Sequence, residues 1–371
     1  MSSSHDVLVI GGGAIGAACA RELAATGRKV LMLEAGGDLG QAWRASGGML
    51  APQIEADGRD PLLELGLAAR DLYLPLAETL LDATGIDIGF WQEGIARVAG
   101  TEAEAKELQS KVAWQQQQGH QSDWLDSAEV RRRWPWLGPT AGALWAARDG
   151  ALDPQRLVEA LRADAQRQGA VLVTDRAVRV DRDGARITGV TGERDRYSAT
   201  DVVLAAGAWS GLLDGLPRPL PVQPVRGQMA SLPWPAGVPR AIVYHKDCYL
   251  LARGTEAIVG STMEQVGFRS EVTAAGLARI FAATVVLCPG LIRSKVQRTW
   301  AGLRPMTPDG LPIIGGEPLL DGLWYATGHG RNGILLAAIT GVLVRQLMSR
   351  EAPGVGLQAF LADRFSHYPT T

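Results

Sequence analysis

Two short stretches hold the residues whose types and spacing suit chemistry. Near the start, DVLVIGGGAIG (6–16) sets Gly11, Gly13 and Gly16 in G-x-G-x-x-G spacing directly after an apolar run. Near the end, ATGHGRNGILLAAITG (326–341) sets His329 and Arg331 among Gly328, Gly330 and Gly333, just before another apolar run. The first spacing suits a ligand with phosphates. Gly11 permits a tight turn, Gly13 lets a pyrophosphate reach the backbone, and Gly16 lets a helix pack on the strand. The second stretch joins bare backbone and fixed positive charge to a helix start. The free N–H groups there point at something that gains negative charge.

These residues need particular elements to hold them. Residues 7–10 read as a fully buried strand, 14–26 as a helix with Gly27 suited to the position after its cap, and 30–33 as a second buried strand. This βαβ unit implies a parallel sheet, with the helix N-terminus free to take phosphates. Glu34 closes the second strand, where a carboxylate accepts both ribose hydroxyls of a dinucleotide and repels a 2′-phosphate, so NADP is disfavoured. AWRASGGMLAP (42–52) follows, small and glycine-rich, and suits a backbone lying along the rest of a long cofactor. Between NAD and FAD, the helix starting near Gly333 favours FAD. A reduced flavin carries negative charge on its pyrimidine side, whereas nicotinamide loses positive charge on reduction.

The remaining chain reads as the frame of two interleaved domains. A helical region covers 61–118, with Thr101 and Glu104 at capping-box spacing, and Asp153-Pro154 opens a further helix. Residues 171–190 alternate like strands, and 202–205 form a buried strand ending at Gly207. The proline-dense GLPRPLPVQPVRG (215–227) reads as a domain crossing. AIVYHKDCYLLAR (241–253) and AIVGSTM (257–263) then read as strands of a more antiparallel sheet, and TWAGLRPMTPDGLPIIGG (299–316) as turn chemistry. The expected fold class is α/β: a Rossmann-like FAD-binding domain with a parallel sheet, interleaved with a substrate domain on an antiparallel sheet.

Composition narrows the function classes. Glycine makes up 45 of 371 residues, about 12% against an ordinary ~7%, with no collagen period, so many turns and close backbone approaches are expected. A net charge of −2 gathers neither nucleic acid nor anionic lipid. Cys19, Cys248 and Cys288 form neither a disulfide framework nor a metal-ligand spacing, which fits a reducing cytosol and no metal. The N-terminus lacks the basic region of a secretory signal, and the apolar run from Ile334 is too short to span a bilayer, so a cytoplasmic protein without membrane insertion is expected. RRRWPW (131–136) reads as a solvated helix end followed by a packed Trp-Pro-Trp turn rather than a nucleic-acid site.

DVLVIGGGAIG…LEAG, SGGMLAP, DGALDP, VVLAAGAWS, TWAGLRPMTPDGLPIIG and YATGHGRNGILLAAITG occur in this order over nearly the whole length. In these motifs the chain resembles the FAD-dependent amine oxidoreductases of the D-amino-acid oxidase superfamily. Within it, the chain looks most like the bacterial glycine oxidases of thiamine thiazole synthesis. The resemblance implies an FAD-binding domain from 1–88, 146–220 and 300–371, a substrate-binding domain from 89–145 and 221–299, and a homotetramer. It implies that Ala14, Ile15, Glu34, Ala35, Ala42, Trp43, Gly47, Gly48, Met49, Val178, His329, Gly330, Arg331, Asn332, Gly333, Ile334 and Leu335 touch FAD, together with the glycine loop and Gly207. Arg304 would hold the substrate carboxylate, Arg331 would sit by flavin and substrate, and Tyr249 and Met263 would line the substrate cavity. His329 and Arg331 would stabilise the reduced flavin.

The implied reaction is oxidative deamination of glycine, sarcosine, D-alanine or D-proline by hydride transfer from the α-carbon to flavin N5. Molecular oxygen is the acceptor, giving hydrogen peroxide, glyoxylate or another keto acid, and ammonia, with iminoglycine supplied to thiazole synthesis. The alternatives are a D-amino-acid dehydrogenase with a non-oxygen acceptor and, further off, an RNA-modifying flavoprotein. No His-Asp pair or carboxylate dyad stands out, and no general base is needed if the amine binds deprotonated. Two departures from the family pattern stand out. Asp247 lies where glycine oxidases often carry histidine, and Gly302 lies near the position of the flavin-linking cysteine of sarcosine oxidases, so noncovalent FAD is expected.

Overall fold

The structure, a computed structural model, describes residues 4–58, 60–246 and 248–365. Asp247 lies outside the described residues. The first of two large sheets runs Ile313–Gly316, Leu323–Thr327, Arg196–Leu204, His5–Ile10, Val30–Glu34, Val171–Thr174, and the hairpin Ala177–Asp183/Arg186–Gly192 extends from Arg196–Leu204. Pairing is parallel from Leu323–Thr327 through to Val171–Thr174. The first strand shows why the apolar run is unbroken. Val7 and Val9 enter one core, Leu8 and Ile10 the other, so both faces of the sheet are covered along Val7–Ile10 and none of these four positions can be polar. The helices Ala14–Ala24, Pro154–Arg167 and Gly333–Met348 share the first of these cores. Gly27, at φ +81°, ends the first helical turn region and its N–H donates to Ala24 O at 2.9 Å.

The second sheet runs Arg298–Met306, Gln223–Pro233, Glu256–Gly260, Tyr249–Arg253, Ile242–Tyr244, Ile95–Ala99, Gly142–Ala146, Asp123–Asp126. All its pairings are antiparallel except Ile242–Tyr244 with Ile95–Ala99. The segment 299–316, expected as turn chemistry, is corrected here. Arg298–Met306 is a strand in register with Gln223–Pro233 from Met306↔Gln223 to Arg298↔Ser231, and only 307–312 turns before Ile313–Gly316. The glycines and prolines of that motif hid a strand whose stability comes from cross-strand partners far away in sequence. Arg298–Met306 belongs to the antiparallel sheet, and the chain returns to the mostly parallel one after it.

Local signals hold elsewhere. The Asp153 carboxylate accepts from the N–H groups of Gln155 (2.9 Å) and Arg156 (3.3 Å), with Pro154 opening the helix. Thr101 Oγ1 accepts from Glu104 N at 3.2 Å, while the Glu104 carboxylate takes Gly100 N at 2.7 Å. In RRRWPW, Arg132 and Arg133 pair with Glu129 on the exposed helix end, and Trp134 and Trp136 pack against Trp145 and Trp234 with ring centroids 5.5 and 5.4 Å apart. Among the described residues, no helix is long and apolar enough to cross a membrane, and no group of His, Cys, Asp and Glu is arranged to hold a metal ion.

Candidate active site and cofactor cleft

The glycine loop is shaped by close backbone approaches. Gly11 sits at φ +97°, and a Cβ there would lie 2.5 Å from Ala205 O. A Cβ on Gly16 would lie 1.8 Å from Gly11 O, so this glycine carries the contact of helix on strand. Gly13 differs: the nearest atom to its Cβ position is the Trp43 ring at 3.2 Å, and no backbone crowds it. Gly13 precedes the helix Ala14–Ala24 with no side-chain cap, which leaves N–H groups free at the dipole's positive end. One Glu34 oxygen accepts from Gly12 N at 2.7 Å and the other lies 3.4 Å from Arg162. Arg162 also donates to Gly12 O at 2.7 Å. The loop is thus fixed from two sides before any ligand arrives.

From this loop a cavity of about 560 Å³ runs between the sheets to the start of the C-terminal helix. Its walls include Gly11, Gly13, Ala14, Ile15, Glu34, Ala35, Ala42, Trp43, Gly47, Gly48, Met49, Val178 and Gly207, and at the far end His329, Gly330, Arg331, Asn332, Gly333 and Ile334. Gly16 stands behind the loop, and Leu335 lies in the hydrophobic core, where it packs towards Gly66. A 3-10 turn, Gly330–Asn332, leads into the helix Gly333–Met348. The residues fit a dinucleotide. Gly13 leaves room against an indole, and the buried Trp43 Nε1 has no hydrogen-bond partner in the protein.

At the far end the two arginines differ in kind. Arg331 pairs with Glu55 at 2.7 Å, and this carboxylate raises its pKa further. Arg304 has no carboxylate partner among the described residues. Its guanidinium donates to Thr262 O at 3.0 Å and Ser261 Oγ at 2.7 Å, and burial lowers its pKa. A guanidinium carries five N–H donors and stays charged, so Arg304, with only neutral oxygens in contact and the Glu55 carboxylate acting from further off, keeps donors and charge for an anion in the cavity. It lies flat on Gly227, where a Cβ would come 2.1 Å from its Nη1. Tyr249 is buried at the same end, its pKa pushed up to about 12 by burial, so its hydroxyl keeps its proton. Its ring rests on Gly47. Met263, 50% exposed, forms the rim instead of core filling.

His329 requires a correction. It lines the cavity, but its Nε2 sits 3.0 Å from Thr340 Oγ1 in the core, and burial lowers its pKa to about 3. It is a neutral ring packed on its own helix and offers no cation to a flavin.

A model of the family DAO, FAD dependent oxidoreductase, matches residues 6–347. The chain belongs to this family. It is 34% identical to the glycine oxidase of Geobacillus kaustophilus (strain HTA426), over 98% of each chain. The crystal structure of glycine oxidase from Geobacillus kaustophilus matches with a TM-score of 0.92 at 34% identity, covering 97% of this chain and 99% of that one. The bifunctional protein ThiO/ThiG of Synechocystis sp. (strain ATCC 27184 / PCC 6803 / Kazusa) is 36% identical over 98% of this chain and 55% of its own length. This member of the DAO family is an FAD-dependent amine oxidoreductase.

Within the family site, several residues escaped the motifs. Glu55, which neutralises Arg331, lies just past SGGMLAP, and its acidic side chain beside a glycine-rich loop was a usable signal. Tyr244 lines the same end and has its hydroxyl 3.4 Å from Arg331. Arg162 lies in the middle of an ordinary amphipathic helix, and Ser261 in a strand-end motif read only for its methionine. Neither carries a local sign of its role, because each is defined by a partner more than a hundred or about forty residues away.

Proposed function

We propose that the enzyme oxidises glycine and other small amines of the same kind, such as sarcosine, D-alanine and D-proline. The single observation that carries this reading is Arg304: a cation without a protein counter-ion in the wall of the cofactor cavity. A substrate as small as glycine has almost no apolar surface to bury, so its carboxylate must supply most of the binding, and a planar fork takes both oxygens. Tyr249 stays protonated and adds a neutral donor at the same end. Arg331 is left as a neutralised pair with Glu55, so the cavity presents one net positive site to one carboxylate. The 34% identity to a glycine oxidase supports the same substrate class.

Bound FAD supplies the two-electron acceptor for the hydride on the substrate α-carbon. The protein's own part is to orient that carbon by gripping the carboxylate, and to set the positive end of the helix Gly333–Met348 towards developing negative charge. Oxygen is proposed as the final acceptor, with hydrogen peroxide, the keto acid and ammonia as products. The ThiO/ThiG relative supports a place for the imine in thiamine thiazole synthesis. The tetramer, the cytoplasmic location and the assignment of 1–88, 146–220 and 300–371 to the FAD-binding domain belong to the same proposal.

The test is to add glycine, sarcosine, D-alanine and D-proline in turn to the anaerobic protein and follow the flavin absorbance. Bleaching by glycine, followed by peroxide formation on admitting air, is the expected result. Bleaching with dye reduction but no peroxide would make the enzyme a dehydrogenase, and bleaching by none of the four would overturn the substrate class. FAD is expected to be noncovalent, since Gly302 is packed against Ala45 and Gln41 O and offers no thiol. Denaturation and filtration should release the yellow colour, and colour retained on the chain would point to Cys248, the cysteine of the cavity wall.

A further inference from the structure

The segment 51–55 forms the wall that carries Glu55, and it belongs to neither large sheet. It is one turn of helix, Pro52–Glu55, too short to hold itself by its own hydrogen bonds. Its backbone groups are instead taken up by buried side chains from elsewhere. Asp149 Oδ2 accepts from the N–H of Gln53 at 3.1 Å and of Ile54 at 3.0 Å. Gln115 donates to Gln53 O at 2.8 Å, and Arg97 donates to Ile54 O at 3.1 Å. The other Asp149 oxygen accepts from Arg70 at 2.9 Å, and Arg70 also donates to Gln53 Oε1 at 2.6 Å. Asp149, Gln115, Gln53 and Arg70 are 0%, 0%, 1% and 3% exposed, so the network is closed to water.

From this geometry we propose that Asp149, held by Arg70, is a positioning residue for substrate binding: it fixes the turn 52–55 and through it the Glu55–Arg331 pair on the cavity wall. The inference rests on the amine-oxidase reading above and adds a remote set of residues to it. Glu55 follows directly on the two amides that Asp149 holds, and its carboxylate meets Arg331 at 2.7 Å. Loosening the turn lets Glu55 leave Arg331. Arg331, without its counter-ion, then takes a carboxylate itself: the site binds a simple anion more tightly but holds part of it away from Arg304, and the wall at Ala51 shifts with it. A displacement of about 1 Å in such a wall costs on the order of 100-fold when it misplaces the reacting groups. None of these side chains touches the glycine loop, so FAD retention is a separate property.

The experiment compares wild-type holoenzyme with Asp149→Asn and Gln53→Leu. Asparagine keeps the size and one acceptor; leucine removes the Gln53 side-chain bonds and keeps the Arg70–Asp149 pair. Each protein is titrated with acetate, an unreactive carboxylate, following the flavin spectrum, and then assayed with glycine. For Asp149→Asn the expected result is unchanged FAD content, an acetate Kd at least 3-fold tighter, and glycine kcat lowered at least 10-fold. Gln53→Leu should move the same quantities in the same direction, kcat by at least 3-fold, and it decides the matter if Asp149→Asn fails to fold as holoenzyme. Acetate Kd and kcat unchanged in folded holoenzyme variants would overturn the inference, leaving the network a purely structural role. If wild type itself shows no spectral response to acetate and no bleaching by glycine, it is the substrate reading that fails, and the comparison of variants is not reached.

Discussion

Arg304→Ala is expected to lower kcat/KM for glycine by about 10²- to 10³-fold, with FAD still bound. Breaking a desolvated ion pair by removing one partner costs about 3–5 kcal/mol, and about 1.4 kcal/mol is a factor of ten. The upper part of that range does not apply in full, because the side chain is only partly buried and water can enter the space it leaves. The guanidinium contacts Thr262 and Ser261 and lies on Gly227, all in or beside the antiparallel sheet, so its loss does not touch the glycine loop. Arg304→Lys should recover only part of the loss. A lysine ammonium supplies the charge but not two parallel donors, and it cannot hold Thr262 O and Ser261 Oγ while it binds the substrate. Steady-state kinetics with glycine, together with FAD content per chain, measure both halves of this expectation. Near-normal kinetics in the alanine variant would remove Arg304 from the site and with it the argument for a carboxylate-bearing substrate.

The second large effect is expected at Gly16. In Gly16→Ala the new Cβ would stand 1.8 Å from Gly11 O, a backbone atom that cannot turn aside as a side chain can. The helix Ala14–Ala24 must lift from the first strand, and the loop between them must move with it. Overpacking typically costs about 1–3 kcal/mol and occasionally more, and a clash with fixed backbone belongs at or above the top of that range. The variant is expected to lose FAD and to melt at clearly lower temperature, or to fail to accumulate as folded protein. Gly13→Ala is the matched control. Its Cβ meets only the Trp43 ring at 3.2 Å, so fold and melting temperature should stay close to wild type while FAD affinity falls. Equal FAD content and equal melting temperature in Gly16→Ala and wild type would sink the account of Gly16 as the helix–strand contact.

The opening of the chain was legible because its rules are local. A buried parallel strand must be apolar at every position, a glycine turn must follow it, and a helix must start where phosphates bind. Gly11, Gly13, Gly16 and Glu34 therefore stand in the sequence as they stand in space. The helix caps at Asp153 and Thr101 were legible for the same reason, since each joins residues two to four apart. The strand Arg298–Met306 was missed because its partner, Gln223–Pro233, lies more than sixty residues earlier, and its own composition of Gly, Pro and Arg argues for a turn.

At the substrate end the sequence marked the residue types and not their states. GLRPMTPDG and GHGRNG each present one arginine among small residues, with equal claim to an anion. The fold brings Glu55 to Arg331 and only neutral oxygens to Arg304, so one charge is cancelled and the other is left to act. The fold likewise turns the His329 ring into the core, where burial keeps it neutral. By itself the sequence determined the dinucleotide loop, the two kinds of sheet and the family, because strand patterning and glycine spacing are properties of neighbouring residues. Which cation is free and which wall is fixed was decided only by tertiary structure. A charge is defined by what stands within a few ångströms of it, and here those neighbours come from segments far apart along the chain.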